Sequence, residues 1–159
     1  MKQSIRTAVA TLIAVGLAAG AGAHCQIPCG IFDDELRVQL IEEHIGTVEK
    51  SMRQIQALSA AESIDHNQLV RWVMNKEHHA EEIQEIVTAY FMAQRVKLPA
   101  KGDDDAHKLY MHRLALLHHI QVAAMKAKQS TDLEAVTTLR EYTGKFRKAY
   151  FGDQGGHAH

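Results

Sequence analysis

DELRVQLIEEHIGTVEKSMRQIQAL, residues 34–58, is the stretch on which the fold turns. Its apolar side chains Val38, Ile41, Ile45, Val48, Met52 and Ile55 are spaced 3, 4, 3, 4 and 3 residues apart. That alternation returns each side chain to one face of an α-helix, whereas a half-buried strand repeats every second residue. Asp33 or Asp34 can cap the start, so the spacing predicts a helix from 34 to about 58. A single amphipathic helix of this length cannot bury its own stripe, so partners of the same kind are expected.

The partners follow in order. Ser59-Ala60-Ala61-Glu62 and Asp65-His66-Asn67-Gln68 both resemble capping boxes and place a break near 59–65. Leu69, Val73, Ala80, Ile83, Val87 and Tyr90 then share a second helical face. That helix fades at Lys97-Leu98-Pro99, because proline disfavours helix in the residue before it. Ala100 to Asp105 reads as a polar loop. A third helix is predicted over about 106–128, and Thr131-Asp132-Leu133-Glu134 reads as a capping box opening a fourth to about 150. Proline occurs only at Pro28 and Pro99. The reading is all-α: an antiparallel four-helix bundle over 33–151, preceded by an N-terminal metal-binding hook over 24–32 and followed by a flexible tail over 152–159.

Residues 1–23 read as a secretory signal peptide that is removed. Lys2 and Arg6 precede an apolar run from Ala8 to Leu17, and Ala21-Gly22-Ala23 fits a cleavage site. The run is too short and too rich in Gly and Ala to span a bilayer of about 30 Å. Without Lys2 and Arg6, 16 of the 18 Lys and Arg remain against 19 Asp and Glu, a formal charge of −3. That balance does not suggest a nucleic-acid partner. No further apolar run reaches 18 residues, so no membrane association is expected after processing. The expected location is exported, periplasmic or secreted.

Cleavage after Ala23 would begin the chain with His24-Cys25-Gln26-Ile27-Pro28-Cys29-Gly30. Cys25 and Cys29 are the only two cysteines. A disulfide across so short a loop would stabilise the chain little, so metal ligation explains their placement better. His24 would offer its new α-amine and its imidazole; Cys25 would offer its thiolate and, when deprotonated, its backbone nitrogen; Cys29 would offer a second thiolate. Pro28 and Gly30 favour a tight turn that brings Cys29 back to the same centre. The amine, the amide nitrogen and the two sulfurs make a planar N₂S₂ set, with the imidazole free to cap it. Square-planar nitrogen and sulfur ligation suits Ni(II) or Cu(II), whereas zinc prefers a tetrahedron. Cu(II) tends to oxidise thiolates, which favours nickel.

The motif His-Cys-x-x-Pro-Cys-Gly resembles the hook of nickel superoxide dismutases, at His24, Cys25, Pro28, Cys29 and Gly30. The stretch Asn67 to Val73 and the region of Tyr90 and Phe91 are similar to that family too. The resemblance implies a homohexamer of four-helix bundles with one nickel ion per subunit. His24, Cys25 and Cys29 would be its ligands and the catalytic residues. It implies superoxide as substrate, disproportionated to dioxygen and hydrogen peroxide by Ni(III)/Ni(II) cycling. The chain departs from the pattern at Phe32, where the family has Tyr. The family also orients the axial imidazole with a helix-one Glu and a helix-two Arg. Here Gln39 or Leu40 and the stretch Lys76-Glu77-His78-His79 take those places, with His79 or Arg71 as substitutes.

Two other functions compete. An exported nickel or copper carrier would keep the hook without efficient turnover, and Phe32 motivates it. A dithiol redox protein would use Cys25 and Cys29, but the spacing is Cys-x₃-Cys and no thioredoxin-like βαβ pattern exists. No Glu stands three residues before any His, which argues against a di-iron bundle. His78-His79 and His118-His119 are adjacent pairs that point two ways and read as surface or core residues. His157 and His159 read as tail residues that can help capture metal. Arg71, Lys76, Arg95 and Lys97 can steer an anion, with solvated charge as the default.

Overall fold

A computed structural model describes Pro28 and residues 30–152. The chain divides into two compact units, residues 1–31 and 32–159. Of the first unit, Pro28, Gly30 and Ile31 are described; Gly30 takes φ +80, the left-handed region open to glycine at little cost.

The second unit is helical throughout its described elements. Helix α1 spans Asp34–Ser59, α2 His66–Glu85, α3 Asp104–Gln129 and α4 Glu134–Phe151. Between α2 and α3, a π-helical segment Ile86–Arg95 continues α2 without a break. All six apolar positions of the α1 seam are buried. Asp33, not Asp34, caps α1: its carboxylate accepts the Leu36 N–H at 2.9 Å. Asp65 caps α2 by accepting from Gln68 N–H at 3.0 Å, as its box predicts. The Ser59 box opens nothing, because Ser59 is the last residue of α1. Asp103 caps α3 and Asp104 and Asp105 load its first turn, with Lys126 and Lys128 in its last, the charge order the helix dipole favours.

Helix α4 starts three residues after Thr131. Asp132 takes the Glu134 N–H at 2.9 Å, and the Thr131 carbonyl is engaged by Gln56 of α1 at 2.9 Å. Those two contacts hold the segment as a turn, so the expected box at Thr131 does not form. The predicted second-helix seam also changes at its start. Val73 is 38% exposed and Leu69 only half-buried; burial begins at Lys76 and Ala80. Lys76 sits beside the last turn of α3, so the turns of α2 before it project past the end of that helix.

Cross-helix contacts fix the directions. The end of the π-segment meets the start of α1 through Arg95 and Asp34, so the two run antiparallel. The middle of α2 meets the end of α3 through Lys76, whose Nζ donates to the Ala127 carbonyl at 2.8 Å and to the Lys128 carbonyl, and further along Gln84 and Gln121 exchange side-chain bonds to each other's carbonyls, so these two also run antiparallel. The start of α3 meets the end of α4 through Arg113, which donates to the Ala149 and Tyr150 carbonyls. Arg140 and Arg147 of α4 reach back to Glu49 and Glu42 of α1. Each helix therefore packs antiparallel to its chain neighbour, and α4 closes on α1. The core between them is one cluster, with Ala123, Ala124 and Ala127 bringing α3 close to its neighbours and Phe91 and Phe146 filling the far end.

Candidate functional site

The predicted ligands His24, Cys25 and Cys29 lie outside the described residues, as do His157 and His159. Description of the bundle begins at Phe32, three positions after Cys29 and two before α1. At that end of the bundle three side chains from two other elements, the π-segment and α4, meet on one carboxylate of α1. Arg95 donates from Nε to Asp34 Oδ1 at 2.7 Å and from Nη2 to Oδ2 at 2.8 Å, a bidentate pair. The Tyr90 hydroxyl donates to Oδ1 at 2.6 Å, and the Tyr150 hydroxyl to Oδ2 at 2.8 Å.

Burial alone would raise the pKa of Asp34. The hydrogen bonds from Arg95, Tyr90 and Tyr150, with the Arg95 charge, more than offset it and hold the carboxyl below its usual range. Tyr90 and Tyr150 move the other way: burial and the Asp34 carboxylate raise both phenols, so both stay protonated donors. Phe32 leans on this cluster. The Arg95 guanidinium carbon sits 4.3 Å from the Phe32 ring centroid, and the Tyr90 ring meets it edge-on at 5.9 Å. Arg37 covers the Tyr90 ring at 5.0 Å.

The π-segment is what lets Tyr90 and Arg95 share one carboxylate. Five residues along an α-helix turn by about 500°, which would leave them roughly 140° apart. The wider i→i+5 turn of a π-helix brings them to nearly the same side. Val96 N–H donates to the Phe91 carbonyl at 2.8 Å, five residues back, and the Gln94 side-chain Nε2 donates to the Ala89 carbonyl at 2.7 Å. The sequence placed Arg95 among free cations able to steer an anion; the structure commits it to Asp34. Lys76 is corrected likewise. It is buried, and its ammonium closes the C-terminal carbonyls of α3 and pairs with Glu77 at 2.8 Å. Arg71 lines an open groove of about 360 Å³ with Thr47, Lys50, Gln68, Trp72 and Asn75. Lys97 is exposed.

A second cluster joins α1 to α2. The His44 and His79 rings meet nitrogen to nitrogen, Nδ1 to Nδ1 at 2.7 Å. One donates and the other accepts, so they hold opposite tautomers. Both are pushed below the usual histidine pKa, first by burial, and His44 also by the charge His79 would carry. Gln39 is exposed and bonds Glu35 at 3.2 Å. Leu40 packs against the core. His118 and His119 are exposed, the latter stacked on Tyr142 at 4.1 Å.

Sequence reading found neither the Asp34 cluster nor the His44–His79 contact. A signal existed for both: Asp34 stands four residues before Val38 and His44 three after Ile41, so each flanks the buried seam. Their partners lie 35 to 116 residues away, beyond any periodicity argument. Among the described residues, no three His, Cys, Asp or Glu side chains gather as a metal site, and no helix is long and apolar enough to cross a membrane.

The family model for nickel-containing superoxide dismutase matches residues 19–154. That span takes in the predicted hook and all four helices. No curated protein sequence and no solved structure matches the chain.

Proposed function

The chain belongs to the nickel-containing superoxide dismutase family, and from that membership we propose that it disproportionates superoxide with a nickel ion held by His24, Cys25 and Cys29. The family match over residues 19–154 carries this reading. The donor chemistry fits. His24 would hold the ion through its α-amine and imidazole, Cys25 through its thiolate and backbone nitrogen, and Cys29 through its thiolate, a nitrogen and sulfur donor set that suits nickel. Nickel bound there supplies a one-electron couple, Ni(III)/Ni(II). Two superoxide ions and two protons give one dioxygen and one hydrogen peroxide.

The chain's own part is to hold and shape the centre. Removal of residues 1–23 during export would create the His24 α-amine, so processing in a periplasmic or secreted setting and ligand formation are one event. Pro28 and Gly30 would favour a turn that lets the Cys29 thiolate join Cys25 on one ion. Phe32 brings an apolar ring where the family carries a phenol, so no hydroxyl at that position can bind or guide an anion. Family membership also supports a homohexamer as the working form.

Phe32 favours a second reading, an exported nickel or copper carrier that does not turn over. Pulse radiolysis separates the two. Nickel-loaded protein beginning at His24 should clear superoxide rapidly, and protein retaining Ala23 should not, because its first amine is displaced by one residue. No decay from either form with nickel bound would reject the dismutase and leave the carrier.

A further inference from the structure

We propose that His44 and His79 form a second transition-metal site, distinct in its residues from the hook, that holds one divalent ion between α1 and α2. The observation is a pairing: two imidazoles on different helices bring the same ring atom, Nδ1, within 2.7 Å of each other. Ligands at about 2.0–2.1 Å from a metal, subtending an angle between square and tetrahedral, lie about 2.9–3.4 Å apart. The ring centroids lie 5.0 Å apart, so the two nitrogens face each other head-on; to admit an ion beside that axis the pair opens by a few tenths of an ångström and each ring tilts by about 35–45° so that its lone pair turns to the ion.

The surroundings favour a cation. Both rings are half-buried, so they retain access to solvent. Burial disfavours their protonated forms, which leaves neutral nitrogen donors. The carboxylates of Glu43 and Glu82 act electrostatically on both rings. His78, its ring 5.3 Å from that of His79, stands outside the pair and faces Glu82 at 3.9 Å. The protein thus supplies two nitrogens in an acidic field, and water completes the shell. Imidazole donors select zinc, nickel or copper over calcium and magnesium.

This inference is independent of the dismutase reading, and its test removes the hook. Full-length protein carrying Cys25→Ser and Cys29→Ser is titrated with Zn(II), and the histidine ring nitrogens are followed by ¹⁵N NMR. The first equivalent should shift the Nδ1 signals of His44 and His79 together. His44→Gln and, separately, His79→Gln should each weaken binding by at least about tenfold, with helicity retained as the control for folding. His78→Gln should leave the affinity unchanged. Shifts confined to His78 or to the tail histidines, no uptake, or equal affinity in the parent and both Gln variants would overturn the site.

Discussion

Asp34 carries one negative charge and accepts four hydrogen bonds from three side chains on two other elements. It also sits in the first turn of α1, where the helix dipole favours a carboxylate. Replacing it with Asn keeps the size but removes the charge that Arg95 answers. Hydrogen bonds to charged groups contribute about 1.5–3 kcal/mol each, but these are not additive. Asp34→Asn should therefore cost about 2–3 kcal/mol in urea unfolding. The pH dependence has a definite sign. The Asp34 pKa is lowered in the folded chain, so its stabilisation is complete above the unfolded value of 3.8 and is lost as pH falls through the lower folded value. The difference between parent and variant should shrink in that acid window and stay flat from pH 5 to 7. At Gly30 the argument is backbone alone: φ is +80 and nothing lies within 4 Å of an added Cβ. Gly30→Ala should cost about 1 kcal/mol locally. Read as weaker nickel retention with unchanged melting of the bundle, it would show that the turn serves the hook.

At the scale of elements, the α1 seam was legible because six residues keep one helical period across the whole helix. The cap at Asp65 is local too, since the aspartate bonds an N–H three residues on; the Asp103 cap is equally local, but its stretch reads as loop. The π-segment was not legible. Ile86, Val87, Tyr90 and Phe91 fit an α-helical face as well as a π-helical one over so few residues. Its wider turn is linked to partners in α1 and α4, to which the local pattern is blind. Lys76 shows the same limit: a lysine in a polar stretch reads as solvated, and only the end of α3 beside it makes it buried. Lys76→Met keeps the stem's packing and leaves the Ala127 and Lys128 carbonyls without their donor. The expected loss is about 1–3 kcal/mol. Amide hydrogen exchange should speed up first in the last turn of α3 and the middle of α2 around Lys76, rather than across the bundle.

For the molecule as a whole, the bundle and the proposed chemistry draw on different residues. The buried core runs from Val38 to Phe146, and the Asp34 cluster needs nothing before residue 34. The predicted ligands all precede residue 30. Their donor types made them legible in the sequence as chemistry, without any packing argument, just as the seam made the bundle legible without any chemistry. What neither pattern could supply was the set of long-range contacts, Asp34 with Tyr150 and His44 with His79, that only the closed bundle creates. The division has a measurable consequence. A chain beginning at Phe32 loses every proposed ligand of the hook but keeps the core, the caps, and the Phe32 contacts with Arg95 and Tyr90. Its unfolding free energy in urea should fall within about 1 kcal/mol of the metal-free full chain, since surface changes away from core and caps shift stability by about 0.5 kcal/mol. Superoxide clearance should be absent at any nickel concentration. A loss of several kcal/mol would instead mean that residues before Phe32 are part of the folded core, and that metal binding at the hook and folding of the bundle are thermodynamically coupled.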